Sequence, residues 1–292
     1  MSAEKSSTYH KNGTPLPAGV PQISRRQIYE NRAKRRSIIT ASLSTVFVIL
    51  LLSFLIPLTP GWEEVKKSFF DWNILVKVFP ALLEAFLVDI MIFAWSSVAI
   101  AILGLVIAIC RNASSPAFYP LRLFGTIYTD VFRGVPVILA IYLIGFGIPG
   151  LGLDRPWNNP YIWGSLALIL SYSAYVAEVY RAGIESIHKS QKAAALSLGL
   201  SQMDTMRYVI LPQAIRRVVP AMMNNFISLQ KDVALLSFIG PVELLRQAGV
   251  YKSLLANFTP YVGAAIIFLS VTIPATRFAD HLIQKQNKQR SQ

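Results

Sequence analysis

The stretch IITASLSTVFVILLLSFLIPL, Ile38 to Leu58, contains no charged side chain. It is long enough to cross a hydrocarbon core of about 30 Å at about 1.5 Å per residue. In lipid, every backbone N–H and C=O must find its partner within the protein, so such a run folds as a helix. Five further candidate spans follow, near Leu82–Ile109, Leu121–Ile148, Tyr161–Ile184, Pro212–Gln230 and Pro260–Ile283. The fifth opens on a polar stretch, Pro212 to Arg217. A shorter apolar segment, Ser237 to Val250, reads as a re-entrant or interfacial helix. The expected fold is an all-α polytopic membrane protein with about six transmembrane helices.

Charge orients this layout. Charged residues make up 15% of the chain, against about a quarter in soluble domains. A net charge of +13 in a soluble protein would suggest nucleic acid. Here the basic residues flank spans, and no nucleic-acid partner is expected. With the N-terminus inside, twenty of the 28 Lys and Arg residues fall in inner segments. The positive-inside rule then places both termini in the cytoplasm. Residues 1–36 read as a basic, mostly disordered cytoplasmic tail, helical from Arg25 to Arg36, and residues 37–59 as the first span. The tail is too long and polar for an ordinary signal peptide.

Chemistry is sparse. Cys110 is the lone cysteine, and the three histidines are scattered, so neither a disulfide nor a metal site is expected. No GxxxxGK[ST] loop occurs, and no nucleophile, base and orienter stand out. GIPGLG (Gly147 to Gly152) reads as an outer turn. No internal repeat is evident.

One connector is unusually ordered: KAAALSLGLSQMDTMRYVILPQA, Lys192 to Ala214. Its Ala- and Leu-rich first half favours helix. Gly199 suits a left-handed helix end. Ser201 and Asp204 have capping-box spacing. The next helix is expected to carry Met203, Met206, Val209 and Ile210 along one face. Pro212 fits the first turn of the helix that re-enters the membrane. A passive linker needs neither this order nor two caps, and long ordered loops tend to be functional.

The stretch resembles the EAA loop of permease subunits of bacterial ATP-binding-cassette importers. That pattern is Glu-Ala-Ala, three residues, Gly, nine residues, Ile, one residue, Leu-Pro. This chain has Ala193, Ala194 and Ala195, then Gly199, Val209, Leu211 and Pro212 at the same spacings. Ala193 stands where the pattern has Glu, so any ion pair made there by the family does not carry over. DVFRGVPVIL (Asp130 to Leu139), SYSAYVAEVYRAGIESI (Ser171 to Ile187) and ISLQKDVALLSFIG (Ile227 to Gly240) resemble landmarks of polar amino-acid permeases. In the last, Val233 and Ala234 replace two hydroxyl residues.

The resemblance implies a type I permease domain over about 80–285, with a coupling loop at about 185–212 and an extra N-terminal helix beside a five-helix core. It implies a bacterial cytoplasmic membrane, and ATPase docking through Ala193, Ala194, Ala195, Gly199, Ser201, Asp204, Leu211 and Pro212. ATP and magnesium are expected on a partner ATPase dimer and no cofactor in this chain, so the chain is not itself the hydrolase. A second permease subunit, an extracytoplasmic substrate-binding protein, a polar amino acid and membrane lipid complete the expected partners. Rival readings are an ion-coupled secondary amino-acid transporter, for which Gly134 and Pro136 could break a helix, and a non-transporting scaffold.

Intramembrane polar residues are the candidates for the pathway. Asp89 lies roughly 10 Å from the outer face by helical rise; it would meet a substrate ammonium or pair with Lys231. Ser171, Ser173 and Tyr175 on the fourth span, with Asn224, Asn225 and Ser228 on the fifth, offer hydroxyl and amide groups, or else interhelical hydrogen bonds. Asp130, Arg133, Glu178 and Arg181 read as ion pairs bracing the cytoplasmic ends.

Overall fold

The computed structural model describes residues 25–112, 115–154 and 156–290, with side-chain surroundings for 33–112, 115–154 and 156–285. The expected disorder of residues 1–24 lies outside the described residues. Helix is the only regular structure among those described. The chain forms two compact units that divide between Glu64 and Val65.

In the first unit, α1 (Arg25–Leu55) runs from the basic segment straight into the apolar run. The helix expected at Arg25 to Arg36 and the first span are therefore one element. A 3-10 turn, Ile56–Leu58, ends it. α2 (Trp62–Phe69) straddles the division, with Glu63 and Glu64 in its first turn and Lys66 and Lys67 in its last. That arrangement complements the helix dipole.

The second unit holds α3 (Trp72–Asn112), α4 (Tyr119–Gly134), α5 (Val137–Gly147) and α6 (Pro160–Glu185). Next come α7 (Lys189–Ser197) and α8 (Gln202–Asp204), a π-turn at Thr205–Ile210, α9 (Leu211–Asp232), a 3-10 stretch at Val233–Ile239, α10 (Leu244–Leu255) and α11 (Thr259–Arg290). Four helical segments among the described residues are long and apolar enough to cross a membrane, and six if each of two bent pairs counts as one span.

Two expectations are corrected. The third span is not one helix: α4 and α5 meet at 105° across Val135 and Pro136. Pro136 has no N–H to continue the helix, and the residue before a proline is pushed to extended backbone; Val135 has ψ 129°. Hydropathy runs through this break, because Val135, Val137, Ile138 and Leu139 are apolar and Arg133 is the nearest charge. The segment Ser237 to Val250 also divides. Gly240 (φ 122°) and Pro241 stop the 3-10 stretch, and α10 begins only at Leu244.

α6 lies at the centre of the bundle. Its Leu168, Tyr172 and Val176 pack with Ile100 of α3, Ile141 of α5, Leu229 of α9 and Leu236. Small residues permit this approach. A Cβ on Gly104 would lie 2.7 Å from Val176 Cγ1, and one on Gly164 would lie 2.9 Å from Leu236 Cγ. A second apolar cluster, including Val78, Leu82, Leu244 and Ala264, joins α3, α10 and α11.

Candidate functional site

The elbow between α6 and α9 is built by local chemistry. His188 caps α7 by accepting the Ser190 N–H. At the other end Gly199 has φ 83°, a region that costs a residue with a Cβ about 1–2 kcal/mol. Gly199 N–H donates to Leu196 O at 3.0 Å and Leu200 N–H to Ala195 O at 3.2 Å. These two bonds are the Schellman closure. Ser201 Oγ then accepts the Asp204 N–H at 3.1 Å and donates to Asp204 Oδ2 at 2.7 Å. The cap thus forms on the Ser side, while the Asp carboxylate takes the Ser hydroxyl instead of reaching back to its backbone N–H.

The expected single face does not form. Ile210 is buried against Ile187 and Ala214, at the foot of the elbow. Met203 and Met206 are exposed. The π-turn at Thr205–Ile210 shifts residues around the axis relative to α-helical spacing. Ala195 is buried, whereas Ala193, Ala194, Leu211 and Pro212 are exposed. Leu198, Met203 and Tyr208 are 84%, 75% and 64% exposed, so the elbow carries large apolar side chains at its surface. Arg217 of α9 donates to Ser186 O, tying the foot of the elbow to the end of α6.

A charge cluster lies at the same end of the bundle. Arg111 Nη1 donates to Glu178 Oε2 at 2.8 Å, Arg181 Nε donates to the same oxygen at 3.2 Å, and Arg133 lies 3.8 Å from it. Of the four residues expected to form ion pairs, Arg133, Glu178 and Arg181 come together. Asp130 is exposed and joins no ion pair among the described residues. Arg111 takes part instead; it closes α3 where the apolar run stops.

The candidate pathway residues separate by burial. Ser173 is engaged between helices, bonded to the Tyr128 hydroxyl at 2.7 Å. Ser171 is fully buried, and its hydroxyl has no partner among the described residues. Tyr175 is half-buried, with the Arg133 guanidinium 6.0 Å from its ring centre. On α9, Asn224 and Ser228 are exposed one turn apart, and Asn225 is half-buried. Sequence reading missed Asp232, whose Oδ2 accepts the Tyr172 hydroxyl at 2.8 Å. Its spacing from Asn225 and Ser228, seven and four residues, puts the three on one helical face and could have revealed it.

Asp89 is 1% exposed. It does not pair with Lys231, which is exposed. Asp89 Oδ2 accepts the Leu244 N–H at 3.0 Å, at the first turn of α10. The neighbouring Glu243, also overlooked in the sequence, is fully buried. It caps α10 by accepting the N–H groups of Leu245 and Arg246 at 2.8 and 2.7 Å.

A helical bundle with intramembrane polar groups and a doubly capped elbow defines a polytopic membrane component. Residues 100–288 match the family described as binding-protein-dependent transport system inner membrane component, and the chain belongs to that family. It is 32% identical over 204 residues to a probable amino-acid permease protein, YxeN, of Bacillus subtilis, covering 70% of this chain and 90% of the relative. It is 35% identical over 188 residues to the probable glutamine ABC transporter permease protein GlnM of the same organism, covering 64% and 84%. Among solved structures, an amino acid ABC transporter crystallised with histidines aligns with a TM-score of 0.68 and 32% identity, covering 74% of this chain and 98% of that one. The MetNI methionine ABC transporter, at 17% identity and a TM-score of 0.58 over 70% and 95%, shares the fold.

Proposed function

We propose that the chain is the transmembrane subunit of an ATP-driven importer that carries a polar amino acid, of the glutamate/glutamine or basic class, into the cell. The elbow carries this reading. Its two caps fix a rigid surface, and Leu198, Met203 and Tyr208 project from it without cover in the single chain. Exposed apolar groups on a rigid element suit a protein partner. That partner is a separate ATPase dimer holding ATP and magnesium, and hydrolysis belongs to it. Residues 80–285 form the permease domain, 185–212 its coupling loop, and 37–59 the additional helix. Both termini lie in the cytoplasm of a bacterial cell. A second permease subunit and an extracytoplasmic binding protein complete the assembly.

The relatives named for glutamine and arginine transport support the substrate class. So does the row formed by Asn225, Ser228 and Asp232, the last of which accepts the Tyr172 hydroxyl. An acidic group held by a tyrosine hydroxyl can meet an ammonium or guanidinium. Amides and hydroxyls can take the rest of a polar side chain without the cost of further buried charge.

Uptake of labelled glutamine and arginine into vesicles, with and without the ATPase partner, tests the proposal. Uptake should require both the partner and ATP. Transport by this chain alone, driven by an ion gradient, would establish the secondary-transporter reading, which the broken α4–α5 pair favours. Ala193→Glu restores the family carboxylate; ATPase stimulation that collapses in this variant would show a docking groove adapted to alanine.

A further inference from the structure

We infer that Asp89 and Glu243 hold one proton between them, forming a protonation site that clasps α10 to α3. Hydrogen-bond accounting carries this assignment. Both side chains are buried, Asp89 1% and Glu243 0% exposed. Glu243 accepts two backbone N–H groups, one on each oxygen. Asp89 accepts one, from Leu244, on Oδ2. Its other oxygen, Oδ1, is buried and has no donor among the described groups. The two carboxyls meet at consecutive amides of one helix end. An unpartnered buried carboxylate oxygen beside a second buried carboxylate is unfavourable on two counts, desolvation and like-charge repulsion.

A single proton removes both problems. With one proton on the pair, the carboxyl that carries it donates to the other carboxylate across the side-chain contact between Asp89 and Glu243, while the backbone N–H groups of Leu244, Leu245 and Arg246 are still accepted. The one remaining negative charge sits at the N-terminus of α10, where the helix dipole favours it. The proton belongs to the pair.

No cation substitutes for it. Among the described side chains, the charged groups on the surrounding helices are Lys77, Glu84 and Arg111 on α3, Arg216, Arg217, Lys231 and Asp232 on α9, Arg246 and Lys252 on α10, and Arg277, Asp280 and Lys285 on α11. Lys77, Arg216 and Lys285 are exposed, Arg111 pairs with Glu178, and Arg217 donates to Ser186 O. Glu84, Lys231, Arg246, Arg277 and Asp280 are exposed. Lys252 lies 5.1 Å from the Phe258 ring centre, and Asp232 is taken by Tyr172. None forms an ion pair with Asp89 or Glu243 among the described residues. Loss of the shared proton at high pH leaves two adjacent buried charges, which loosens the start of α10 from α3. This inference is independent of the cargo.

Infrared spectroscopy of the full chain, in the assembly in which it purifies, tests the site. At neutral pH the wild type should show the C=O stretch of a protonated carboxyl that downshifts in D2O and titrates away as pH rises. The band should vanish in Asp89→Asn and in Glu243→Gln, because each leaves a lone carboxylate with an amide neighbour. Both variants preserve side-chain shape, and if one does not fold the other decides. A wild type without the band, or a band that survives either substitution, overturns the shared proton. Uptake assays are separate, so failure here leaves the importer reading standing.

Discussion

α3 carries two polar clusters, one toward its middle at Asp89 and one at its C-terminal end at Arg111, about 33 Å apart at helical rise, and the two solve opposite problems. At the elbow end Glu178 answers three guanidinium groups from α3, α4 and α6, one of which, Arg181, also pairs with Glu185. At the other cluster two carboxylates form no ion pair among the described residues and rely on the backbone N–H groups that open α10. The first cluster joins helices by side-chain charge and leaves net positive charge. The second joins them through the polarity of a helix end. Three converging cations suit the half-exposed end of a bundle, where water screens the surplus. Two acids without a cation are tolerable only where a helix N-terminus and a proton are available.

Substitution at each cluster separates these cases. The largest effect is expected from Glu178→Ala. It leaves Arg111 and Arg133 without their carboxylate beside Arg181, which keeps Glu185, and should cost about 2–3 kcal/mol, below the cost of a fully buried pair because the Glu178 side chain is 23% exposed. Thermal unfolding of the purified chain measures this, and a wild-type melting curve would remove the cluster from the account of the bundle. Next comes Asp89→Ala, which deletes one acceptor at the start of α10 and should cost about 1–2 kcal/mol. Asp89→Asn keeps an acceptor and should stay near wild type in the same melt; equal losses in both would refute the N–H anchoring.

Gly199→Ala probes the elbow beside the Glu178 cluster. Forcing a Cβ into φ 83° should cost about 1 kcal/mol locally. ATPase stimulation should fall several-fold while the melt of the bundle barely moves. The smallest effect is expected from Arg133→Gln. Its 3.8 Å contact and 42% exposed side chain predict a change below about 0.5 kcal/mol, and a salt-dependent loss larger than that would mean that all three arginines carry the cluster equally.

Much of this was legible in the sequence where a local signal suffices. The charge-free run Ile38 to Leu58 reads directly as helix. Gly199 and Ser201 announce the elbow because capping is decided within a few residues. The break at Val135 and Pro136 left no trace in hydropathy, since Val135, Val137 and Ile138 are as apolar as a continuous span requires; only the proline marks it. Glu243 was invisible for another reason. Its partner Asp89 is 154 positions earlier, and nothing around either residue announces the other. Asp130 failed in the reverse direction: its depth in the third span grouped it with Arg133, Glu178 and Arg181 at the cytoplasmic ends, but the cluster forms on Glu178, with Arg111 reaching it from another helix.

The joints around the elbow are unequal. Between α6 and α7 the chain leaves the helix through Ser186, Ile187 and His188, and between α7 and α8 it passes the left-handed Gly199. From Gln202 to Asp232, by contrast, helix α8, the π-turn and α9 follow one another with no non-helical residue between them. A crank with slack on one bearing and none on the other turns only the shaft it is keyed to. A push on Met203 is therefore delivered first to α9, the helix that bears Asn225, Ser228 and Asp232. It reaches α6 second, through the Arg217–Ser186 tie and the contact of Val218 against Gly183.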